Sequence, residues 1–195
     1  MPCLWFDTQT EEAFALYSSV IPNSQTLSIQ RYPDHGVPDF MLDKAGKVLT
    51  GVFELGGQRL MALDGGPDFK FNPSESLFYN ASSVEEVERV WNALLPGGQV
   101  FMPLGEYPFS PRFGWLSDKF GLSWQIHMGE RPQKINPFLM FVKDQCGKAE
   151  EAIRLYMSLI DNSQLTHIEY YTEADAANGE KVGTVKHVDF TLNGH

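Results

Sequence analysis

Residues 11–32 read EEAFALYSSVIPNSQTLSIQRY and residues 150–171 read EEAIRLYMSLIDNSQLTHIEYY, identical at 12 of 22 positions with a constant offset of 139 and no gap. A match of that length is not a chance event, so the chain builds the same module more than once. The likeness extends weakly outward on both sides. Pro2 to Phe6 corresponds in character to Pro137 to Phe141, and Phe53 to Gly57 to Phe190 to Gly194. The second copy is therefore expected to stop short, one strand before its module is complete.

The period of the apolar residues alternates within the first copy. Leu4 to Phe6 reads as a short strand. Thr8 is the expected N-cap of the next element, with Glu11 completing a capping box. Ala13, Phe14, Tyr17, Val20 and Ile21 recur at helical spacing, and Pro22-Asn23 ends the helix. Thr26 to Arg31 alternates as a strand, and Tyr32 to Pro38, which includes Val37, reads as a loop. Val48 to Leu55 and Arg59 to Leu63 are strands joined by a Gly56-Gly57 hairpin turn. The order is strand, helix, three strands.

The same order recurs after Asp64-Gly65-Gly66-Pro67 without obvious identity. Leu77 to Tyr79 is a strand, and Ser83 with Glu86 forms a second capping box. Val84, Val87, Val90, Trp91 and Leu94 lie at helical spacing. Gln99 to Met102 starts a strand, Pro103 to Pro111 reads as a proline-rich loop and a possible lid, and Arg112 to Leu116 and Leu122 to His127 complete the unit. The expectation is an α+β protein. Residues 1–130 form a domain of two tandem βαβββ units, about 2–64 and 74–128, and residues 131–195 begin a second domain with an incomplete third unit. An unfinished sheet leaves an unpaired edge and an apolar face. Either the natural chain continues beyond His195 or this segment closes its sheet against another element, such as one from a second subunit. A homodimer is expected in either case.

The composition narrows the function classes. Fifteen basic against 25 acidic residues give a net charge of −10, the opposite of the footprint of a general nucleic-acid or anionic-membrane binder. No apolar run approaches the roughly 20 residues of a membrane span. The N-terminus lacks the charged start and apolar core of a secretory signal, so a cytoplasmic protein is expected. Cys3 and Cys146 form no CxxC pair and are expected to be reduced structural thiols. No GxSxG elbow or GxxxxGK[ST] loop is present. The acidic pairs Glu11-Glu12, Glu85-Glu86 and Glu150-Glu151 fall in first helical turns, where the helix dipole favours them. Aromatic residues make up 13% of the chain, which suits a cavity or an interface.

The pieces PCLWFD, EEAFALYSSVIPNSQ, VFELGGQRLMALDGGPDFKF and GWLSDKFGLSWQI resemble the PhnB-like proteins of the vicinal oxygen chelate superfamily, which includes glyoxalase and bleomycin-resistance proteins. The resemblance covers almost all of residues 2–128, and residues 137–195 resemble the start of a second family domain. It implies glyoxalase-like mixed sheets that curl around a cavity, with dimerisation. Such sequences often carry the label demethylubiquinone methyltransferase. A methyltransferase using S-adenosylmethionine needs a glycine-rich turn after a first parallel strand, whereas the double glycines at 56–57, 65–66 and 97–98 fall in a hairpin, a linker and a helix end. None forms GxGxxG.

The resemblance also implies a divalent metal held by His, Gln and Glu on paired strands, acting as a Lewis acid on substrate oxygens. Gln125 stands where the family's ligand is usually Glu. Arg59 to Leu63 offers no ligand before Asp64, Pro2-Cys3-Leu4 stands where a His is common, and Asp68 replaces another frequent His. His35, His127, His167, His187 and His195 form no HxH or HxxxH pair, so no metal ligand set is assigned. The leading reading is a protein that binds a small molecule in an aromatic cavity, with no cofactor assigned and no reaction legible. Its expected lining is Trp5, Asp64, Phe69, Phe71, Tyr107, Phe109, Arg112, Trp115, Asp118, Trp124 and Gln125, suited to a flat, partly polar ligand. The rival readings are a metal-dependent lyase, isomerase or dioxygenase, and a structural or partner-binding dimer with a vestigial cavity.

Overall fold

The computed structural model describes residues 1–36, 38–129, 131 and 133–195; Val37, in the expected loop, and Glu130, at the expected domain boundary, lie outside them. Two compact units are present, Met1–Leu139 and Met140–His195. The first unit contains β1 (Cys3–Phe6), α1 (Thr10–Val20), β2 (Gln25–Arg31), β3 (Val48–Leu55) and β4 (Gln58–Asp64). It continues with β5 (Glu75–Ala81), α2 (Val84–Leu94), β6 (Gln99–Tyr107), β7 (Ser110–Ser117), β8 (Ser123–Met128) and β9 (Ile135–Leu139). The second contains α3 (Ala149–Leu159), β10 (Gln164–Tyr170) and β11 (Val185–Thr191). The tandem βαβββ order is thus realised in an α+β fold.

One sheet has the order β1-β4-β3-β2 and another β6-β7-β8-β5-β9. In each, the first strand of the module lies parallel to the last (β1 with β4, β5 with β8), and the hairpins are antiparallel. The helix connecting first and second strands crosses one face. Ile135–Leu139, near the segment expected to open the third unit, pairs antiparallel with β5 and belongs to the first compact unit. In the second unit β10 and β11 form a two-stranded sheet.

Helix α1 does not begin as its local sequence suggests. It starts at Thr10 with Gln9 before it and no side-chain cap. The Asp64 carboxylate, at the end of β4, instead accepts from the Thr10 N–H at 3.1 Å and the Thr10 hydroxyl at 2.6 Å. A carboxylate there satisfies an orphan donor and meets the positive end of the helix dipole. Glu11, expected to complete a box with Thr8, is paired with Arg31 at 2.6 Å. At α2 the cap follows the sequence: Ser83 Oγ accepts from Glu86 N–H at 3.2 Å, while Glu86 reaches back to the Ser82 N–H at 2.7 Å.

The proline-rich segment is also different from its reading. Strand β6 runs through Pro103 to Tyr107, and β7 resumes at Ser110. Proline is tolerated because β6 is an edge strand, where a missing N–H costs no ladder bond, and three register shifts absorb the distortion. The expected lid is therefore the tip of a hairpin.

One core joins the two modules of the first unit. Phe14 and Tyr17 from α1, with Ile21 just after it, pack with Phe6, Phe53, Leu55 and Leu60, and Val87, Val90, Trp91 and Leu94 from α2 with Leu77, Tyr79, Leu116, Trp124 and Ile126. Each fully buried side chain of this size contributes about 1.5–3 kcal/mol over its exposed state. Gly114 is required where it stands, because a Cβ there would enter the Trp91 ring.

Candidate functional site

Strand alternation divides the residues of the β6-β7-β8-β5-β9 sheet between two faces. Leu77, Tyr79, Gly114, Leu116, Trp124 and Ile126 face α2. The registers Ser76↔Ser123, Phe78↔Gln125 and Asn80↔His127, with Phe113↔His127 and Trp115↔Gln125, put those residues together on the face α2 does not cover. Strand β9 adds Asn136 and Phe138 at matching positions.

The face away from α2 is an aromatic floor with a polar row across it, in which Ser76, Asn80, Ser123 and Gln125 are buried. Phe78 stacks on Phe138 with centroids 5.6 Å apart, and Phe101 lies 5.1 Å from Trp115. Tyr107, Phe109 and Phe113 form a three-ring cluster with centroid distances of 5.1–5.6 Å at the hairpin end. Gln125, only 6% exposed, donates from Nε2 to Ser76 Oγ at 2.9 Å. That leaves its Oε1 as an acceptor with no partner among the described residues. Trp115 donates from Nε1 to Ser123 Oγ at 2.8 Å, which fixes the indole plane.

Of the four polar residues expected at the mouth, Gln125 stands on this face and the other three are engaged elsewhere. Arg112, on the opposite parity of β7, pairs with Glu88 of α2 at 2.7 Å. Asp64 caps α1. Asp118 is buried in the turn between β7 and β8. Its Oδ2 accepts from the Tyr17 hydroxyl at 2.6 Å and the Trp124 indole at 2.9 Å, and its Oδ1 from the N–H groups of Phe120 and Leu122. Burial pushes the Asp118 carboxyl above its ordinary range against the pull of those four donors. Burial and the neighbouring carboxylate push the Tyr17 hydroxyl well up.

The expected aromatic residues fall into separate groups as well. Trp124 is fully buried against Tyr17 at 5.0 Å. Phe71 packs on Phe6 at 5.1 Å, at the edge of the core. Trp5 donates to the Gly66 carbonyl at 2.8 Å and meets the exposed Phe69 edge-on at 4.9 Å. Only Trp115, Tyr107 and Phe109 share the open face with Gln125. Sequence reasoning does not single out Ser76, Phe78, Phe113 or Phe138. The alternation in SLFYNA and SWQIH carries the signal, since every second residue there is polar or aromatic and the others are core residues.

The donor set on this face does not fit a divalent metal. It consists of the amides of Asn80, Gln125 and Asn136, hydroxyls and His127, and among the described residues no three His, Cys, Asp or Glu side chains converge. A neutral amide alone binds such cations weakly. Nor does the fold suit a dinucleotide-type cofactor turn: Gly56 and Gly57 make the β3–β4 hairpin, Gly65 and Gly66 follow β4, and Gly97 and Gly98 follow α2. Gly65 admits the Trp5 ring, which a Cβ would displace.

A family model described as 3-demethylubiquinone-9 3-methyltransferase matches residues 1–127 and 133–195. A PhnB protein from Bacillus cereus, whose description carries the same methyltransferase name, is 38% identical, with a TM-score of 0.60 over 66% of this chain and 98% of that one. Protein PA1353 from Pseudomonas aeruginosa is 30% identical, with a TM-score of 0.57 over 67% and 96%. A glyoxalase I variant from Zea mays shares the fold at 13% identity, with a TM-score of 0.52 over 88% of this chain and 58% of that one. No curated protein matches the sequence significantly. Among the described residues no helix is long and apolar enough to cross a membrane.

Proposed function

The chain belongs to the PhnB-like family of the vicinal oxygen chelate superfamily, and on that premise we propose that it binds a flat, partly polar small molecule on the open face of the β5–β8 sheet, without a metal. The observation that carries this reading is Gln125. This residue is only 6% exposed. Its Nε2 is paired with Ser76, its Oε1 accepts from no described residue, and Phe78 and Trp115 are its register neighbours on the flanking strands. A planar ligand with one hydrogen-bond donor would stack on these rings and give Oε1 its partner, a combination of apolar area and one oriented polar contact that small-molecule sites favour.

The reading includes assembly as a homodimer, as the family resemblance implies. Methyl transfer is not part of it, because among the described residues no GxGxxG turn leads from a parallel strand into a helix; Gly65 and Gly66 lead from β4 to β5.

A thermal-shift panel of planar bicyclic aromatics, each with one hydrogen-bonding substituent, tests the proposal. A ligand that binds only the native state raises apparent stability. The expected result is at least one compound that raises Tm equally with and without chelator, and less in Gln125→Leu. Stabilisation that disappears with chelator would contradict metal-free binding.

A further inference from the structure

The internal repeat builds the same antiparallel ladder twice and fills it differently. In the first copy β2 and β3 pair Ser28↔Val52, Ile29↔Gly51 and Gln30↔Thr50, with a register shift on either side. In the second unit β10 and β11 pair His167↔Asp189, Ile168↔Val188 and Glu169↔His187, with register shifts at the same two places. Ile168 and Val188 line a small recess beneath α3 with Ile153 and Met157. Strand alternation therefore puts His167, Glu169, His187 and Asp189 together on the face away from that helix.

At these four positions the first copy has Ser28, Gln30, Thr50 and Val52, so the module folds without an imidazole or a carboxylate there. The second copy carries two His-x-acid pairs, HIE on β10 and HVD on β11. They are set crosswise, so each histidine stands opposite a carboxylate and the two imidazoles share one diagonal of the square. The ring centroids of His167 and His187 are 6.3 Å apart, with the planes tilted by 44°.

The carboxylates are engaged in ways that leave the imidazoles as the ligands. Glu169 pairs with Lys186 at 3.0 Å. Asp189 Oδ1 contacts His187 Nε2 at 3.2 Å, and a carboxylate on one ring nitrogen fixes a histidine's orientation and raises its basicity towards a metal on the other. Imidazole suits zinc, copper and nickel ions, and zinc sits about 2.0–2.1 Å from each ligating nitrogen. His167 is exposed, so its ring can turn towards His187 and share one ion with it. Among the described residues no three His, Cys, Asp or Glu side chains converge. Water therefore completes the coordination, which makes this a two-histidine clamp and not a closed structural site.

We infer that the β10–β11 ladder holds one zinc ion, or a similar late first-row divalent ion, between His167 and His187, with Asp189 as the positioning residue behind His187. The site shares no residue with the β5–β8 face, and the small-molecule reading stands or falls without it. Calorimetric titration of zinc chloride into the full, untagged chain stripped of metal tests the inference. One saturable site is expected. His167→Gln and His187→Gln are each expected to raise its Kd tenfold or more, and Asp189→Asn about tenfold. His35→Gln and Cys146→Ser are expected to leave it unchanged. No saturable binding, or a site that survives His167→Gln or is lost in Cys146→Ser, overturns the clamp. Indifference to Asp189→Asn overturns the positioning role alone. Imidazole 15N–1H NMR of the wild type makes the same test without a variant. The His167 and His187 signals are expected to move together up to one equivalent of zinc while those of His35 and His195 stay in place, and the reverse pattern overturns the inference.

Discussion

The Tyr17 hydroxyl donates a 2.6 Å hydrogen bond to Asp118 Oδ2 across 101 residues of sequence, tying the helix of the first module to the last hairpin of the second. Trp124 shares the same oxygen, so the two modules meet at a buried carboxylate that receives four donors. The residue holds the floor of the candidate site in place while facing away from it. Its geometry is structural.

Asp118→Asn tests that assignment. The amide can still accept from the backbone, but its NH2 group must face the Trp124 donor, leaving a buried N–H unsatisfied. A loss of about 1–3 kcal/mol per orphaned group is expected, read as a lower urea midpoint. Ligand affinity of the folded fraction should be unchanged. A variant of wild-type stability with weakened binding would move Asp118 into the site.

The Glu86 carboxylate provides a pH signature. Burial raises its pKa, but hydrogen bonds from Lys134, the Ser82 N–H and Tyr79, with the charge of Lys134, outweigh burial and bring it to about 2. The unfolded value is about 4.3. The folded state therefore holds this proton less tightly than the unfolded one. The stability Glu86 contributes is fully present above the unfolded value and is lost as pH falls from there towards 2. Denaturation of Glu86→Gln should show a shallower decline over that window than wild type. Parallel profiles would remove the lysine-paired carboxylate as a source of acid sensitivity.

The two arms of β7 separate site from scaffold. Trp115 and Arg112 lie on opposite faces of the strand, the arginine held by Glu88. Once a ligand is in hand, Trp115→Leu and Gln125→Leu should each weaken it by about tenfold, the value of one lost hydrogen bond or stacking partner. Arg112→Ala should stay within twofold. Calorimetric titration decides, and a large effect of Arg112→Ala would place the ligand on the helix side.

Much of this arrangement is legible in the sequence where the governing interactions are local. The repeat, the Gly56-Gly57 hairpin and the Ser83 cap each depend on residues a few positions apart. The cap of α1 does not, because Asp64 reaches Thr10 from 54 residues away, and a local Thr8–Glu11 pattern cannot compete with a charge delivered by β4. The candidate site divides for a related reason. Composition marks Trp115, Trp124, Asp118 and Gln125 as a cluster in the chain, yet strand parity sends Trp124 and Gln125 to opposite faces. Which face is open depends on where α2 packs, and that is a tertiary fact. Pro103 likewise reads as a loop residue until β6 is known to be an edge.

The most direct test of the central claim uses the four tryptophans, Trp5, Trp91, Trp115 and Trp124, whose indole N–H signals can be resolved by 15N–1H NMR during titration with a planar aromatic hit, in chelator. The account predicts that the Trp115 signal moves saturably, with the Kd found by calorimetry, while those of Trp91 on α2 and Trp124 beneath it stay in place. Saturable binding that leaves Trp115 unmoved, or that shifts the buried Trp124 instead, would contradict it.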